Sequence, residues 1–217
     1  MLSVRSRIFG PTVWHGSANR PLCALTFDDG PSPIATEKTL DALEEIGLKA
    51  TFFVVGQHAQ QYPQLMRRIV AAGHAIGNHT YSHAALFSAW PRRYVLRDLQ
   101  RCNAIVHDIT GVRPCAFRPP AGLRSPAMYQ ACQRLGLPIV GWTVRGLDTV
   151  SRSPLTIFNR INNGLGPGSI IVLHDGATLL SSRDRSGTLA ALQLIFREMS
   201  NRGITAVTIP ELLQLQL

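Results

Sequence analysis

Two adjacent carboxylates at the end of an apolar run constrain this chain more than any other feature. Residues 22–27 read as a buried strand, and Asp28-Asp29-Gly30-Pro31 follows directly. Gly30-Pro31 breaks the strand into a turn, so both aspartates stand at its carboxyl end, where each raises the other's pKa unless a cation is near. The alternative, a pair that only caps the next helix, needs no cation. His79-Thr80-Tyr81-Ser82-His83 favours the first reading, because histidines at i and i+4 in a single helical turn present both imidazoles on one face. Two imidazoles and one carboxylate make an open metal site.

The rest of the chain alternates apolar runs with amphipathic ones. Further strands are expected at residues 50–55, 75–78, 138–142, 169–173 and 204–207, and Ala116-Phe117 leads to Arg118. Helical spacing marks residues 35–46, 63–72, 91–109, 126–135, 154–163 and 188–201, with a last helical turn at 210–215. Strands and helices alternating about seven times call for a parallel sheet with crossover helices.

Four motifs in order resemble those of the polysaccharide deacetylase family, the NodB-homology hydrolases of carbohydrate esterase family four. Thr26-Phe27-Asp28-Asp29-Gly30-Pro31 resembles the first and residues 79–83 the second. Arg118-Pro119-Pro120-Ala121-Gly122 resembles the third and Val172-Leu173-His174 the last, so the resemblance spans nearly the whole chain. A further segment, residues 142–149, keeps Asp148 but has Arg145 where the family commonly has Asp and Thr149 where it commonly has Trp. Ala121 stands where a bulky aromatic is usual, so two walls that clasp a sugar ring are expected to be missing.

The resemblance implies metal ligands Asp29, His79 and His83, with Asp28 as general base oriented by Arg118. It implies His174 as general acid, held by Asp148, and the N–H of Ala121 as a donor to the oxyanion; Trp142 is assigned to the substrate pocket. A site of two imidazoles and one carboxylate fits one divalent ion, zinc first, with cobalt, nickel or ferrous iron also suited. Asp28 and Asp29 together, and His79, Arg118, Asp148 and His174 singly, fall at or just past the carboxyl ends of different predicted strands, and a closed or nearly closed ring of strands brings such ends around one hole. The expected fold is therefore α/β, a distorted (β/α) barrel of about seven parallel strands. Residues 21–217 are expected to form one catalytic domain, with residues 1–20 an N-terminal extension packed on it.

The implied activity is removal of N-acetyl groups from an amino sugar in a glycan, oligosaccharide or glycan precursor. Hydrolysis of O-acetyl esters or other amides is the alternative, and a non-catalytic glycan-binding barrel is disfavoured because ligands, base and acid are all present. The net charge of +9 comes from 22 basic residues, all arginine except Lys38 and Lys49, and suggests anionic surroundings. Nucleic acid is set aside, since the arginines are scattered through helices without a basic run interleaved with aromatics. Cys23, Cys102, Cys115 and Cys132 form no Cys-x-x-Cys pair and read as buried free thiols. Residues 1–14 lack a secretory pattern and no run reaches the roughly 20 apolar residues of a membrane span, so a cytoplasmic protein, or one peripheral at the inner membrane face, is expected. The apolar segment 84–90, with Leu86, Phe87 and Trp90, either folds back onto the barrel or offers an apolar rim; with the charge it suggests peripheral membrane contact and a membrane-proximal precursor as substrate.

Overall fold

The computed structural model describes residues 9–176 and 184–214. Six strands, β1 (Leu22–Asp28), β2 (Thr51–Val54), β3 (Ala75–Asn78), β4 (Val144–Arg145), β5 (Ile170–His174) and β6 (Thr205–Val207), form one parallel sheet. The order is β3-β2-β1-β5-β4, with β6 also on β1. β5 occupies one edge of β1 from Ala24 to Asp28. The other edge is shared, β6 pairing with Leu22 to Ala24 and β2 with Thr26 to Asp28.

Between β3 and β4 the wall continues as short parallel pairings, with bridges from Asn78 to Phe117, Phe117 to Ile139 and Val13 to Val140 and backbone bonds from Cys115 to Ile76, Asn78 to Ala116, Arg118 to Asn78 and Val140 to Phe117. The barrel is thus distorted and not closed by a continuous ladder. A strand was expected at residues 138–142, with Ala116-Phe117 leading to Arg118; Pro114, Pro119, Pro120 and Pro138 have no N–H to lengthen a ladder, so pairing there is confined to a few residues. The segment meets β5 from Thr143, whose N–H donates to the Ile170 carbonyl at 2.9 Å, and the ladder proper starts at Val144, opposite Ile171.

Eight helices accompany the strands among the described residues: α1 (Ala35–Glu45), α2 (Gly56–Gln61), α3 (Pro63–Ala71), α4 (Arg92–Thr110), α5 (Pro126–Leu135), α6 (Pro154–Asn162), α7 (Ser186–Asn201) and α8 (Ile209–Leu213). Local chemistry sets several ends. The Ser125 side chain accepts from the N–H of Met128 to start α5, which stops at Gly136 in the left-handed region. A capping box of Thr208 and Glu211 starts α8. α2 was not expected, because Gly-Gln-His-Ala-Gln-Gln carries no apolar stripe; its first amides, Gly56 and Gln57, donate to the carbonyls of Thr80 and Tyr81 at 2.9 and 3.0 Å.

Alternation along the strands divides the apolar residues. Leu25, Phe27, Phe52, Val54, Ile171 and Leu173 pack outward with Leu43, Ile157, Leu192 and Ile195 of the helices, and Phe27 stacks on Phe52 at 5.2 Å. Ala24, Phe53, Ala116, Val140 and Ile170 fill the barrel. Each fully buried Leu, Ile or Phe contributes about 1.5–3 kcal/mol, so the outward layer supplies most of the stability. The segment 84–90 folds back: Phe87 is buried with Leu99, Phe117 and Met128, whereas Leu86 is 73% exposed. Val13 donates to Ile139 and Gly16 to Gly168, both at 2.8 Å, so residues 9–20 run along the barrel. Residues 1–8 and 215–217 lie outside the described residues, as does the end of the expected terminal turn. All four cysteines are free and buried, and burial pushes the thiols of Cys23, Cys115 and Cys132 up to about 12.

Candidate active site

The strand β1 ends on Asp28, and an ordinary continuation would send Asp29 to the opposite face. Asp29 instead takes φ 76°, a left-handed conformation that aspartate tolerates better than most residues. Both carboxylates then reach the same imidazole: His79 Nε2 lies 3.5 Å from Asp29 Oδ1 and 4.0 Å from Asp28 Oδ2. The β5 turn presses against this one. The N–H groups of Asp175 and Gly176 donate to the Asp28 carbonyl at 3.2 and 3.4 Å, and a Cβ on Gly176 would overlap the Asp29 carbonyl and the Gly30 amide.

His79 follows β3 directly, but residues 79–83 are not the helical turn expected from their spacing. Thr80 and His83 have φ 71° and 48°, and the local amides are taken by side chains. Thr80 N donates to Asn78 Oδ1 (2.8 Å), Tyr81 N to Asp98 Oδ1 (2.7 Å) and His83 N to Thr80 Oγ1 (2.9 Å), which replaces i to i−4 helix bonds with a looped cradle. The loop still converges the two imidazoles. His83 Nε2 lies 3.2 Å from Asp29 Oδ1, and the donor atoms of Asp29, His79 and His83 all fall within 4.8 Å of one another.

This set fits a divalent ion. Bonds of about 2.1 Å in tetrahedral geometry separate donors by about 3.4 Å, close to the 3.5 and 3.2 Å found. His79 Nδ1 donates to the Arg118 carbonyl at 2.7 Å, so its proton sits there and the Nε2 lone pair faces the centre. Burial by itself would raise the Asp29 carboxyl, but contacts from His79 and His83 hold it well below the usual range, an anion at neutral pH.

Two charge pairs flank these donors. Arg118, fully buried, donates through Nη1 to Asp28 Oδ1 and Thr26 Oγ1 at 2.7 Å each, and through Nη2 to the Gly141 carbonyl at 2.9 Å. Its guanidinium lies 4.0 Å over the Phe53 ring. Burial lowers its pKa, with Asp28 opposing, and four hydrogen-bonding partners keep the cation satisfied where an unpaired one would cost several kcal/mol. On the next strand His174, opposite Asp28 in register, meets Asp148: Nδ1 to Oδ1 is 2.8 Å, and the His174 amide donates to Oδ2 at 2.9 Å. Burial pulls the His174 pKa down, but Asp148, helped by Asp28 and Asp29, outweighs it and raises the net value. The Asp148 carboxyl is correspondingly lowered, the bond from His174 outweighing its burial.

Ala121 holds φ 53° in the loop after Arg118, on the rim of this site. Trp142 stands beside Arg118, 5.9 Å from guanidinium carbon to ring, and packs on Gly122 and edge-on to Trp14. Eight of the nine expected site residues are thus joined at one end of the barrel, and Ala121 lies three residues past Arg118 in the adjoining loop.

Several supporting residues were not expected. Thr188 donates to Asp148 Oδ2 at 3.0 Å, and the buried Arg185 donates to the carbonyls of Asp148 and Gly176. Thr26 stands within the first motif and Asn78 beside the second without a role of their own there, and Arg185 in Ser-Arg-Asp-Arg-Ser-Gly gave no signal. Asp175 is buried beneath Gly30 with Oδ2 bonded to Thr36 at 2.6 Å, and burial raises it to about 7.

With this geometry in hand, the sequence profile described as polysaccharide deacetylase matches residues 15–140. The chain belongs to the polysaccharide deacetylase family. It is 37% identical over 210 residues to a chitooligosaccharide deacetylase of Sinorhizobium fredii, covering 92% of this chain and 95% of the relative. The crystal structure of a peptidoglycan N-acetylglucosamine deacetylase in complex with 4-naphthalen-1-yl-N-oxidanyl-benzamide superposes with TM-score 0.87 at 32% identity, covering 94% of each chain. A family 4 acetyl xylan esterase from Clostridium thermocellum, in complex with a cobalt ion, gives TM-score 0.80 at 33% identity over 88% of this chain and 89% of that one. The polysaccharide deacetylase fold and the expected motifs agree with one another along the whole barrel.

Proposed function

We propose that this polysaccharide deacetylase is a metal-dependent hydrolase that removes acetyl groups from an N-acetylated amino sugar in a glycan or glycan precursor. The observation that carries the reading is the convergence of the Asp29, His79 and His83 donors with an Arg118-held carboxylate and an Asp148-held imidazole. Zinc suits the donor set best; cobalt, nickel and ferrous iron accept the same ligand types. When bound, a divalent ion supplies Lewis acidity, lowering the pKa of water from about 15.7 to around 7 and polarising the acetyl carbonyl.

The chain's own residues move the protons. Arg118 occupies Asp28 Oδ1, which leaves Oδ2 to accept the proton of the attacking water. As the water oxygen bonds to the acetyl carbon, the N–H of Ala121 donates toward the developing oxyanion. Asp148 fixes the proton of His174 at Nδ1, so the imidazolium gives up the one at Nε2. That proton goes to the amine nitrogen as the C–N bond breaks, leaving acetate and a free amino sugar. Trp142 walls the sugar side.

A second reading, hydrolysis of O-acetyl esters, is supported by the similarity to the acetyl xylan esterase. An alkoxide leaves more readily than an amide nitrogen, so His174→Ala should slow amide substrates more than esters. The decisive assay measures acetate released from chitooligosaccharides, peptidoglycan fragments and acetylated xylan by metal-free protein before and after one equivalent of divalent ion. Undiminished turnover without metal would sink the mechanism.

Peripheral contact with an anionic membrane is also proposed. Leu86 and Tyr94 are exposed beside the exposed Arg92 and Arg93, and arginines near such a surface contribute about 1 kcal/mol each. Phe87, being buried, takes no part. Equal sedimentation with anionic and neutral vesicles would refute it.

A further inference from the structure

The register that positions His174 also positions Arg145. Val144 pairs with Ile171 and Arg145 with Val172. Val144 lies in the helix-side core with Ile171 and Leu173, so the alternation of a strand sends Arg145 to the barrel-side face with Val172 and His174. Neighbouring strands stand about 4.8 Å apart and two residues advance about 6.6 Å, which puts the Cα of Arg145 about 8 Å from that of His174. One sugar ring spans most of that gap.

The surroundings of Arg145 differ from those of the other charges here. Asp28, Asp29 and Asp148 are each engaged by Arg118, by His79 and His83, or by His174. Arg145 is exposed and has no carboxylate within 4.0 Å among the described residues. Its guanidinium carbon lies 5.9 Å from the ring of Trp142, the same indole that flanks Arg118. A cation held against an indole at the mouth, within a ring's width of the general acid and with no internal anion to neutralise it, is placed to meet charge on the ligand.

We propose that Arg145 is a specificity-determining residue that pairs with an anionic group, a carboxylate or a phosphate, borne by the sugar unit whose acetamide is hydrolysed. This rests on the deacetylase reading above. A planar guanidinium meets either anion through two parallel hydrogen bonds, an interaction that distinguishes charged from neutral sugars by about tenfold or more. The exposed Arg68 and Arg202, paired with Asp41 and Glu198, have no such capacity to spare.

The test compares three oligosaccharides of equal length on the metal-loaded enzyme: a neutral N-acetylglucosamine oligomer, one with a carboxylate-bearing lactyl ether on the target sugar, and one with a phosphate monoester there. The wild type should favour at least one charged substrate by about tenfold in kcat/KM, chiefly through KM and less at high salt; the two charged arms identify which anion is recognised. Arg145→Ala should bring the ratio to near one, Arg145→Glu should invert it, and Arg145→Lys should retain part of it. Independently of turnover, calorimetric titration of metal-free protein with the deacetylated charged products should show about tenfold weaker binding by Arg145→Ala. A wild type indifferent to the charge, or an Arg145→Ala variant that loses the same factor on all three substrates, overturns the proposal. If no substrate releases acetate, the deacetylase reading fails instead, and the titration still decides Arg145: equal binding by wild type and Arg145→Ala overturns its role.

Discussion

The two arcs of the barrel wall are built differently. From β3 through β2 and β1 to β5 the ladder is continuous, and it carries Asp28, Asp29, His79 and His174 at its ends. From Phe117 to Trp142 the wall is short pairings between proline-bounded segments, and it carries Arg118, Ala121 and Trp142. Groups that must hold a metal or pass a proton within tenths of an ångström sit on the rigid arc. The residues assigned to the sugar sit on the irregular one, where a substitution should change shape without breaking a long ladder. The exception is Arg118, which the loose arc keeps in place through four hydrogen-bonding partners drawn from both arcs.

The largest expected effect breaks the rigid arc's chemistry. His79→Ala should lose the metal and lower kcat by at least about 10³-fold, while Asp28→Asn should keep the metal and lower kcat by about 10²–10⁴-fold, because only the first removes a donor. Metal content and turnover measured on the same samples separate the two. An empty site in Asp28→Asn would exchange the roles of the aspartates.

Stability should divide along the same line. Phe52→Ala, in the continuous arc and 1% exposed, should cost about 3–5 kcal/mol in urea unfolding. Trp142→Ala, half-buried on the irregular arc, should cost clearly less while raising KM. Comparable losses would mean that both arcs share the core's support equally.

A subtler effect sharpens the role of the Asp148–His174 pair. The His174 pKa is raised above the usual 6.5, so its pairing stabilises the fold below that value and is lost as pH rises through the higher folded one. The Asp148 contribution is lost only as pH falls through its lowered value, below 3.8. Activity that needs the His174 proton should therefore fall along an alkaline limb lying above pH 6.5, and Asp148→Asn should move that limb to lower pH. A limb that stays put in the kcat/KM profile would remove His174 as the acid.

The smallest effect concerns the rim. Ala121 occupies the left-handed region, so Ala121→Gly should relieve strain of roughly 1 kcal/mol, partly offset by the flexibility of glycine in the unfolded chain. Melting should shift upward by no more than about 2–4 °C. A drop would show that the methyl group packs against something essential.

Much of this was legible in the residues. The strand before Asp28, the helix Pro126–Leu135 and the seven charged or imidazole side chains at the barrel end all follow from apolar periodicity, proline and glycine punctuation, and motif order. What escaped were features decided by distant partners. Histidines four apart suggested a helical turn, but Asn78 and Asp98 captured the amides that a helix needs. The stretch 138–142 looked like a strand because its composition is apolar, yet its pairing, with Phe117 on one side and Val13 on the other, stays short because prolines bound its neighbours. Arg185 reads as solvated charge until the chain folds and two carbonyls close on it.

The shared edge of β1 bears on how the molecule opens. A strand flanked by β5 on one side and by β6 and then β2 on the other has nearly every amide enclosed, so its deuterium uptake should be the slowest in the chain. The arc from Phe117 to Trp142, joined by shorter pairings, should open in more frequent excursions that leave β1 and β5 paired. In such an excursion the aspartates and His174 keep their spacing while the sugar-facing rim comes and goes. Exchange rates of Phe27 and Leu173 against those of Phe117 and Val140 would therefore report a molecule whose catalytic groups outlast its substrate wall.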